Sequence, residues 1–541
     1  MSTVGGNLIA KTRSGAAPGG DIAAMAKERY LRETVNEILN RHPAIGLAVG
    51  VVRDGRLAFF HAHGVADIAS NTPITEDTVF RIASITKTFT AIAVMQLSEQ
   101  GRIDLDAPAN DYLRAYKLVP AKASFRPATV RHLLSHTGGI PQVLRLTDWL
   151  LPVRGENFTI GQVPTLAEYY RDRGGLHVVT EPGTTFAYGD HSFATLGQLV
   201  EDVSGMPLAR YFREHIFDPL GMADTDLLRS DRITARLATG YTVGSRGVKK
   251  VTDSELVTMG AGSIFSTPRD MARYLAALQG GGANEHGRVL QQATLASMFA
   301  PHFQTDPRVP GMGLGFWRST VGGHSAVWHE GTLPGFNSQI WLAPDDGVGV
   351  MAFTNGSQGA MSWLLVEASG LLREALGVPD EAIRTDVPHH PERWDDLCGW
   401  YQLSAQWSDM QSRLMAGLGA EVFVRGGQLK MRVLSPIPML YRGFALHPDD
   451  EHDPDVFRID LSPYGFGAPR VVFSRDARGA AARIHIDVLP LRLEKRPDFK
   501  NPRLWMTGVT GVAGALGVAA AGATVVRRSR SRLQKRQEIE R

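Results

Sequence analysis

Phe80-Arg81-Ile82-Ala83-Ser84-Ile85-Thr86-Lys87-Thr88-Phe89-Thr90-Ala91 places a serine and a lysine three residues apart where an apolar-periodic helix begins. Residues i and i+3 share a helix face, so the Lys87 amine can lie beside the Ser84 hydroxyl. The unpaired amides of the first turn offer positive potential to a developing oxyanion. The same field, together with partial burial, disfavours an ammonium and predicts a Lys87 pKa shifted toward the neutral amine that a general base needs. A chain of this length holds about two Ser-x-x-Lys tetrapeptides by chance. This one holds a single example, so the segments around it must decide its meaning.

Working outward, Ile85, Phe89, Ile92 and Met95 share one face until Gly101 ends the helix. Upstream, apolar runs at 44–52 and 57–63 predict two strands joined by Asp54-Gly55 in a type I′ turn. Before them, Asp21 as N-cap followed by Ile22, Met25, Val35, Ile38 and Leu39 predicts a long amphipathic helix. Downstream, helices are expected at 166–173, 192–204, 208–216 and 268–279, and strands at 325–329, 337–342 and 347–354. A Pro/His-rich link at 388–393 leads into 400–491, where short strands alternate with turns such as Gly426-Gly427. The expected organisation is a flexible arm over 1–21, a catalytic domain over 22–385 in which helices pack on an antiparallel sheet, and a β-rich accessory domain over 392–498.

Composition excludes several classes. The 541 residues are 43% hydrophobic and 21% charged, as in an ordinary globular protein. The net charge is +3, yet the tail after Val526 carries seven Lys/Arg against two Glu, so the body is slightly acidic and does not read as a nucleic-acid binder. Cys398 stands alone, which rules out an intramolecular disulfide and a multi-cysteine metal site. No His-Glu-x-x-His or comparable ligand set points to a metal, and no cofactor is expected. No serine has glycines at both −2 and +2, so the α/β-hydrolase nucleophile elbow is absent.

Residues 504–526 carry no charge and are long enough to cross a bilayer, predicting a single C-terminal transmembrane helix followed by a basic tail over 527–541. Gly508, Gly511, Gly514 and Gly517, with the row Ala513, Gly517 and Ala521, would allow close helix contact and homo-association in lipid. Basic residues flank both ends and set orientation only weakly. The first twenty residues contain no run apolar enough for a signal peptide, which suits a cytosolic tail-anchored protein, whereas the basic tail suits an exported one. The reading leans to a membrane-anchored protein with an extracytoplasmic catalytic domain.

Two further polar clusters follow the serine. In Pro182-Gly183-Thr184-Thr185-Phe186-Ala187-Tyr188-Gly189-Asp190-His191-Ser192, a loop before a helix projects Tyr188 and Asp190 in one direction. In Val327-Trp328-His329-Glu330-Gly331-Thr332-Leu333-Pro334-Gly335-Phe336, a strand ends in His-x-Gly, and Gly331 lets a ligand approach the backbone closely.

Three segments in the order Ser-x-x-Lys, Tyr-x-Asn, Lys/His-x-Gly resemble the serine β-lactamase and penicillin-binding-protein superfamily. The likeness is closest to the branch of class C β-lactamases, D-alanyl-D-alanine carboxypeptidases, D-aminopeptidases and family VIII-like esterases, and it covers about residues 30–375. Residues 80–84, 133–139, 262–270 and 313–316 also look like family segments. The resemblance implies an α/β fold of the β-lactamase/transpeptidase type, an antiparallel sheet flanked by helices with a helical subdomain. It implies that Ser84 attacks a carbonyl of a small-molecule or peptide substrate, that Lys87 and Tyr188 share the proton transfers, and that an acyl-enzyme forms. The backbone N–H groups of Ser84 and Thr332 would form the oxyanion hole, and His329 would help hold a substrate carboxylate or polar end group.

Asp190 departs from the family's asparagine. An ionised carboxylate cannot donate the amide hydrogen bond, and it favours the ammonium form of Lys87. Tyr188 is then the more important base, its phenol acidified by the lysine, or Asp190 stays protonated. Efficient β-lactam hydrolysis is the activity most affected. The expected function is a serine hydrolase of amides or esters, D-amino-acid peptidase/carboxypeptidase- or esterase-like. The alternatives are a true β-lactamase and a weakly catalytic penicillin-binding or scaffold protein. His136 reads as structural; His191 is either loop surface or site edge.

Overall fold

The computed structural model describes residues 18–379, 382–404, 417–434, 438–461, 467–487 and 489–503. Asp54 and Gly55 both have positive φ, 48° and 74°, as a type I′ turn requires. They join the antiparallel strands Gly46–Arg53 and Arg56–Asp67. Gly46–Arg53 also pairs with Val348–Thr354, which lies over 290 residues further along the chain. Around this pair grows a seven-stranded antiparallel sheet in the order Trp317–Val321, His324–Leu333, Phe336–Ala343, Val348–Thr354, Gly46–Arg53, Arg56–Asp67, Thr72–Pro73.

Alternation along the strands separates two cores. Leu47, Val49 and Val51 meet Leu31, Val35 and Ile38 of the first helix, Pro18–Arg41, and Leu364, Ala368 and Leu371 of the helix Ala360–Leu376. Ala48 and Val52 face the other way, into a core shared with the serine helix Thr86–Glu99, with Asp190–Ser204 and with Pro268–Gln279. Thr267 caps Pro268–Gln279 by accepting from Asp270 N–H, and Pro268 opens it, which is why its start is legible.

The C-terminal region forms a nine-stranded antiparallel sheet whose order begins with Phe444–Ala445 and ends with His447–Pro448. Its two outermost strands are thus separated by Leu446 alone, so the sheet closes on itself as a barrel and leaves little edge exposed. Tyr401, Leu403, Met431, Phe473 and Leu493 belong to the same apolar core as the first helix and Ala360–Leu376. The two regions are also tied through Arg308, which donates to Asp453 at 2.8 Å and to the Phe473 carbonyl at 2.9 Å.

The fold is therefore of the expected mixed α/β type with a C-terminal β-rich region, but the membrane part of the expectation is corrected. Among the described residues no helix is long and apolar enough to cross a membrane, so a single-pass anchor, membrane localisation and association through such a helix are not supported. Residues 504–526 lie outside the described residues. Freedom from charge satisfies only the length and polarity criteria for a span.

Candidate active site

Ser84 lies in the single 3₁₀ turn Ala83–Ile85, which runs directly into the serine helix. Ala83 before it has φ of 49°, a left-handed conformation that costs a non-glycine residue about 1 kcal/mol. Two hydrogen bonds to the preceding residue hold it there: Ile82 N–H donates to the Ile264 carbonyl at 3.1 Å, and Ser338 Oγ donates to the Ile82 carbonyl at 2.8 Å. The result is a partly exposed serine at a helix N-terminus, with the Lys87 amine one turn along.

Lys87 is fully buried. Its Nζ donates to Ser84 Oγ at 2.9 Å, to Asp190 Oδ1 at 2.6 Å and to the Ala261 carbonyl at 2.9 Å. Burial pulls the Lys87 pKa down, but Asp190 and Tyr188 together outweigh it and leave the pKa raised. This reverses the shift expected from the helix field and burial alone. In the resting site Lys87 is an ammonium paired with a carboxylate. Asp190 is the first residue of Asp190–Ser204, where the helix N-terminus favours its negative charge.

The Ala261 carbonyl belongs to the short helix Met259–Gly262. It reaches the lysine because Gly197 and Gly260 let two helices come together: a Cβ on Gly197 would sit 3.4 Å from the Gly260 Cα.

Tyr188 is buried beside this pair, with Lys87 Nζ 5.0 Å from its ring centre. Burial raises the phenol to about 12, with Lys87 pulling the other way. The acidification expected from the lysine is thus outweighed. Its hydroxyl lies within hydrogen-bonding reach of Ser84 and Lys87. Trp317 stacks on the ring at 5.7 Å, and His136 packs against it at 4.6 Å. His136 also tethers the Tyr188 loop: its carbonyl accepts from Ala187 N–H at 2.8 Å, and its Nδ1 accepts from Gly189 N–H at 3.4 Å.

His329 is wholly buried, its ring 6.3 Å from that of Tyr188. Its Nδ1 donates to the Glu330 carbonyl at 2.6 Å, which leaves Nε2 as an unpartnered lone pair. Burial, aided by Lys87, lowers the ring to about 3, so it is neutral. Gly331 follows on the same strand and passes tightly over the nucleophile turn, where a Cβ would overlap the Ile82 carbonyl oxygen and Ser338 Oγ. Thr332, the next residue, is exposed.

Ser84, Lys87, Tyr188, Asp190, His329 and Gly331 therefore converge from three distant segments. His191, adjacent to Asp190, is buried rather than on a loop surface: its Nδ1 lies 3.4 Å from Tyr170 Oη and its Nε2 lies 3.9 Å from Glu156 Oε1. Sequence reasoning assigned no role to the Ala261 carbonyl, Trp317 or Glu330. The closely spaced Gly260 and Gly262 were the available signal for the first, and Glu330 stood in plain view between His329 and Gly331. Among the described residues no group of three or more His, Cys, Asp or Glu is arranged to hold a metal ion.

Known proteins are similar to this chain in sequence and in fold. The chain is 29% identical over 392 residues to "Esterase EstB" of Burkholderia gladioli, covering 66% of this chain and 96% of that one. It is 30% identical over 232 residues to "D-alanyl-D-alanine-carboxypeptidase/endopeptidase AmpH" of Escherichia coli (strain K12), covering 43% of this chain and 57% of that one. Its fold is similar to that of the octameric penicillin-binding protein homologue from Pyrococcus abyssi, with a TM-score of 0.55 and 23% identity over 86% of this chain and 99% of that one. Residues 31–369 match the family described as Beta-lactamase. That span is more than half of the chain, and the protein accordingly belongs to the Beta-lactamase family and is one of its serine hydrolases.

Proposed function

We propose that this protein hydrolyses an ester or amide through an acyl-Ser84 intermediate, and that its substrates lack a carboxylate beside the scissile bond. The observation that carries the first part is the 2.9 Å contact between Lys87 Nζ and Ser84 Oγ in a buried site. Ser84 Oγ attacks the carbonyl carbon as its proton passes to the Lys87 amine, once that group has given up its own extra proton, with Tyr188 sharing the path. The developing oxyanion faces the backbone N–H groups of Ser84 and Thr332; losing one such donor costs about 10²- to 10³-fold in rate. Collapse expels the leaving group, protonated through Tyr188 and Lys87, and water then releases the acyl group by the reverse proton route. We assign the reaction to residues 22–385, with 392–498 as an accessory domain.

The second part rests on His329 and Asp190. A neutral imidazole with Nδ1–H engaged by the Glu330 carbonyl presents an acceptor at Nε2, not the donor a carboxylate needs. Asp190 adds a like charge nearby. Both features favour an esterase- or amidase-like scope, in keeping with the similarity to EstB, over a carboxypeptidase or a β-lactamase.

Intact-mass spectrometry with a fluorophosphonate and a slow ester should show one adduct, mapped to the Ser84 peptide and absent in Ser84→Ala. An adduct that persists in Ser84→Ala sinks the assignment.

A further inference from the structure

Glu330 lies between His329 and Gly331 and so projects to the opposite face of the strand from them, the face that carries Trp328 and Thr332. Gln339 stands directly across the ladder. Glu330 Oε2 and Gln339 Oε1 are both buried, and the Trp317 indole lies within hydrogen-bonding reach of the Glu330 carboxyl. The indole of Trp317 stacks on Trp328 at 5.3 Å and on Tyr188 at 5.7 Å, which connects this face of the strand to the catalytic tyrosine.

Charge decides what such a place accepts. Lys87 and Asp190 cancel one another at 2.6 Å, while Tyr188, His329 and His136 are held neutral. Burial raises the Glu330 carboxyl to about 7; its own backbone N–H, Lys87 and the Trp317 side chain oppose the rise and Asp190 reinforces it, so the group feels the charges of the Lys87–Asp190 unit. When ionised it is the uncompensated charge of that unit, and a substrate cation would both neutralise it and make its desolvation less costly.

We propose that Glu330 is a specificity-determining residue whose carboxylate, backed by the Gln339 amide oxygen, receives a cationic group of the substrate, so that cationic esters or amides are preferred over neutral isosteres. This rests on the hydrolase reading above, and the experiment separates the two.

Two ester pairs test it on the full chain. Acetylthiocholine and the thioacetate in which carbon replaces its quaternary nitrogen place the cation on the leaving group. The para-nitrophenyl ester of trimethylammoniobutanoate and its all-carbon isostere place it on the acyl group. In at least one pair the wild type should favour the cation by about tenfold in kcat/KM, and Glu330→Gln should lower that ratio by about tenfold. Because the neutral ester is the denominator, a general loss of activity cancels. A ratio unchanged in Glu330→Gln, as expected if the carboxyl merely supports Trp317, overturns the proposal, as does a wild type that favours neither cation. Should Glu330→Gln not fold, tetramethylammonium must inhibit neutral-ester turnover competitively in the wild type; absence of competition overturns the proposal equally. No turnover of any of the four esters overturns the hydrolase reading and takes this inference with it.

Discussion

Lys87 Nζ is nearer to Asp190 Oδ1, at 2.6 Å, than to the Ser84 Oγ it serves, at 2.9 Å. With the Ala261 carbonyl as third acceptor, every N–H of the ammonium is engaged and no lone pair faces the serine. The carboxylate that orients the lysine also keeps it in the wrong protonation state for catalysis, and several consequences can be measured.

Because the Lys87 pKa is raised, its base form is scarce at neutral pH and kcat/KM should climb with pH, about tenfold per unit below that pKa. Asp190→Asn removes the carboxylate charge and should move the rising limb to lower pH, increasing turnover of a neutral ester at pH 7 by about tenfold. An unmoved limb would show that Asp190 does not set the lysine. A substitution that abolished turnover with folding intact would make the carboxylate itself a working acid or base. The stability that the raised pKa contributes has a fixed sign: it is fully present below the ordinary lysine pKa and is lost as pH rises through the folded-state value.

Lys87→Ala and Tyr188→Phe should each slow acylation by about 10²-fold or more, as expected for groups on one proton path. Measured by stopped-flow release of para-nitrophenolate, the double variant should lose much less than the product of the two. Tyr188→Phe within about threefold of wild type would remove the phenol from that path.

Gly331→Ala should fail in a different way. Its methyl would overlap the Ile82 carbonyl and Ser338 Oγ, so the strand must back away from the nucleophile turn. A stability loss of about 1–3 kcal/mol is expected from the overpacking. The loss in kcat should exceed what the unfolded fraction accounts for, since Thr332 N–H moves with the strand. Denaturant melts alongside kcat separate these effects.

How far the sequence could be read varied with the kind of interaction. Ser84 and Lys87 were legible because helical spacing alone brings i and i+3 together, and Asp54-Gly55 because only a primed turn suits two positive φ values in a tight hairpin. The helix 268–279 carried its own start signal in Thr267 and Pro268. Tyr188 and His329 were placed by family order, since nothing local says that they meet. The Ala261 carbonyl was invisible because a backbone oxygen has no sequence signature, and its approach depends on two glycines 63 residues apart, Gly197 and Gly260. For Lys87 the helix field and burial point to the neutral amine and the Asp190 carboxylate to the ammonium; the pKa is raised because a counter-charge at 2.6 Å outweighs partial dipoles. The closure of the C-terminal sheet was also out of reach, being a matter of strand order rather than strand content.

Arg308→Ala tests the junction between the two sheets. The guanidinium binds Asp306 and Asp453, each at 2.8 Å, and the Phe473 carbonyl at 2.9 Å. Its loss should cost about 1–3 kcal/mol. Calorimetry of wild type and variant should show the variant's unfolding profile broader or more split than the wild type's, as the barrel and the hydrolase sheet lose their coupling. An unchanged melting profile would mean that the shared apolar core alone holds them together.

Trp317, Trp328 and Trp341 lie side by side on three neighbouring strands, stacked at 5.3 and 4.9 Å, with Tyr188 at one end. Indoles this close and nearly parallel couple their electronic transitions, so the row responds as one chromophore to a change at its Tyr188 end. Its circular dichroism and emission should register each change of charge or occupancy at Tyr188 without any attached dye.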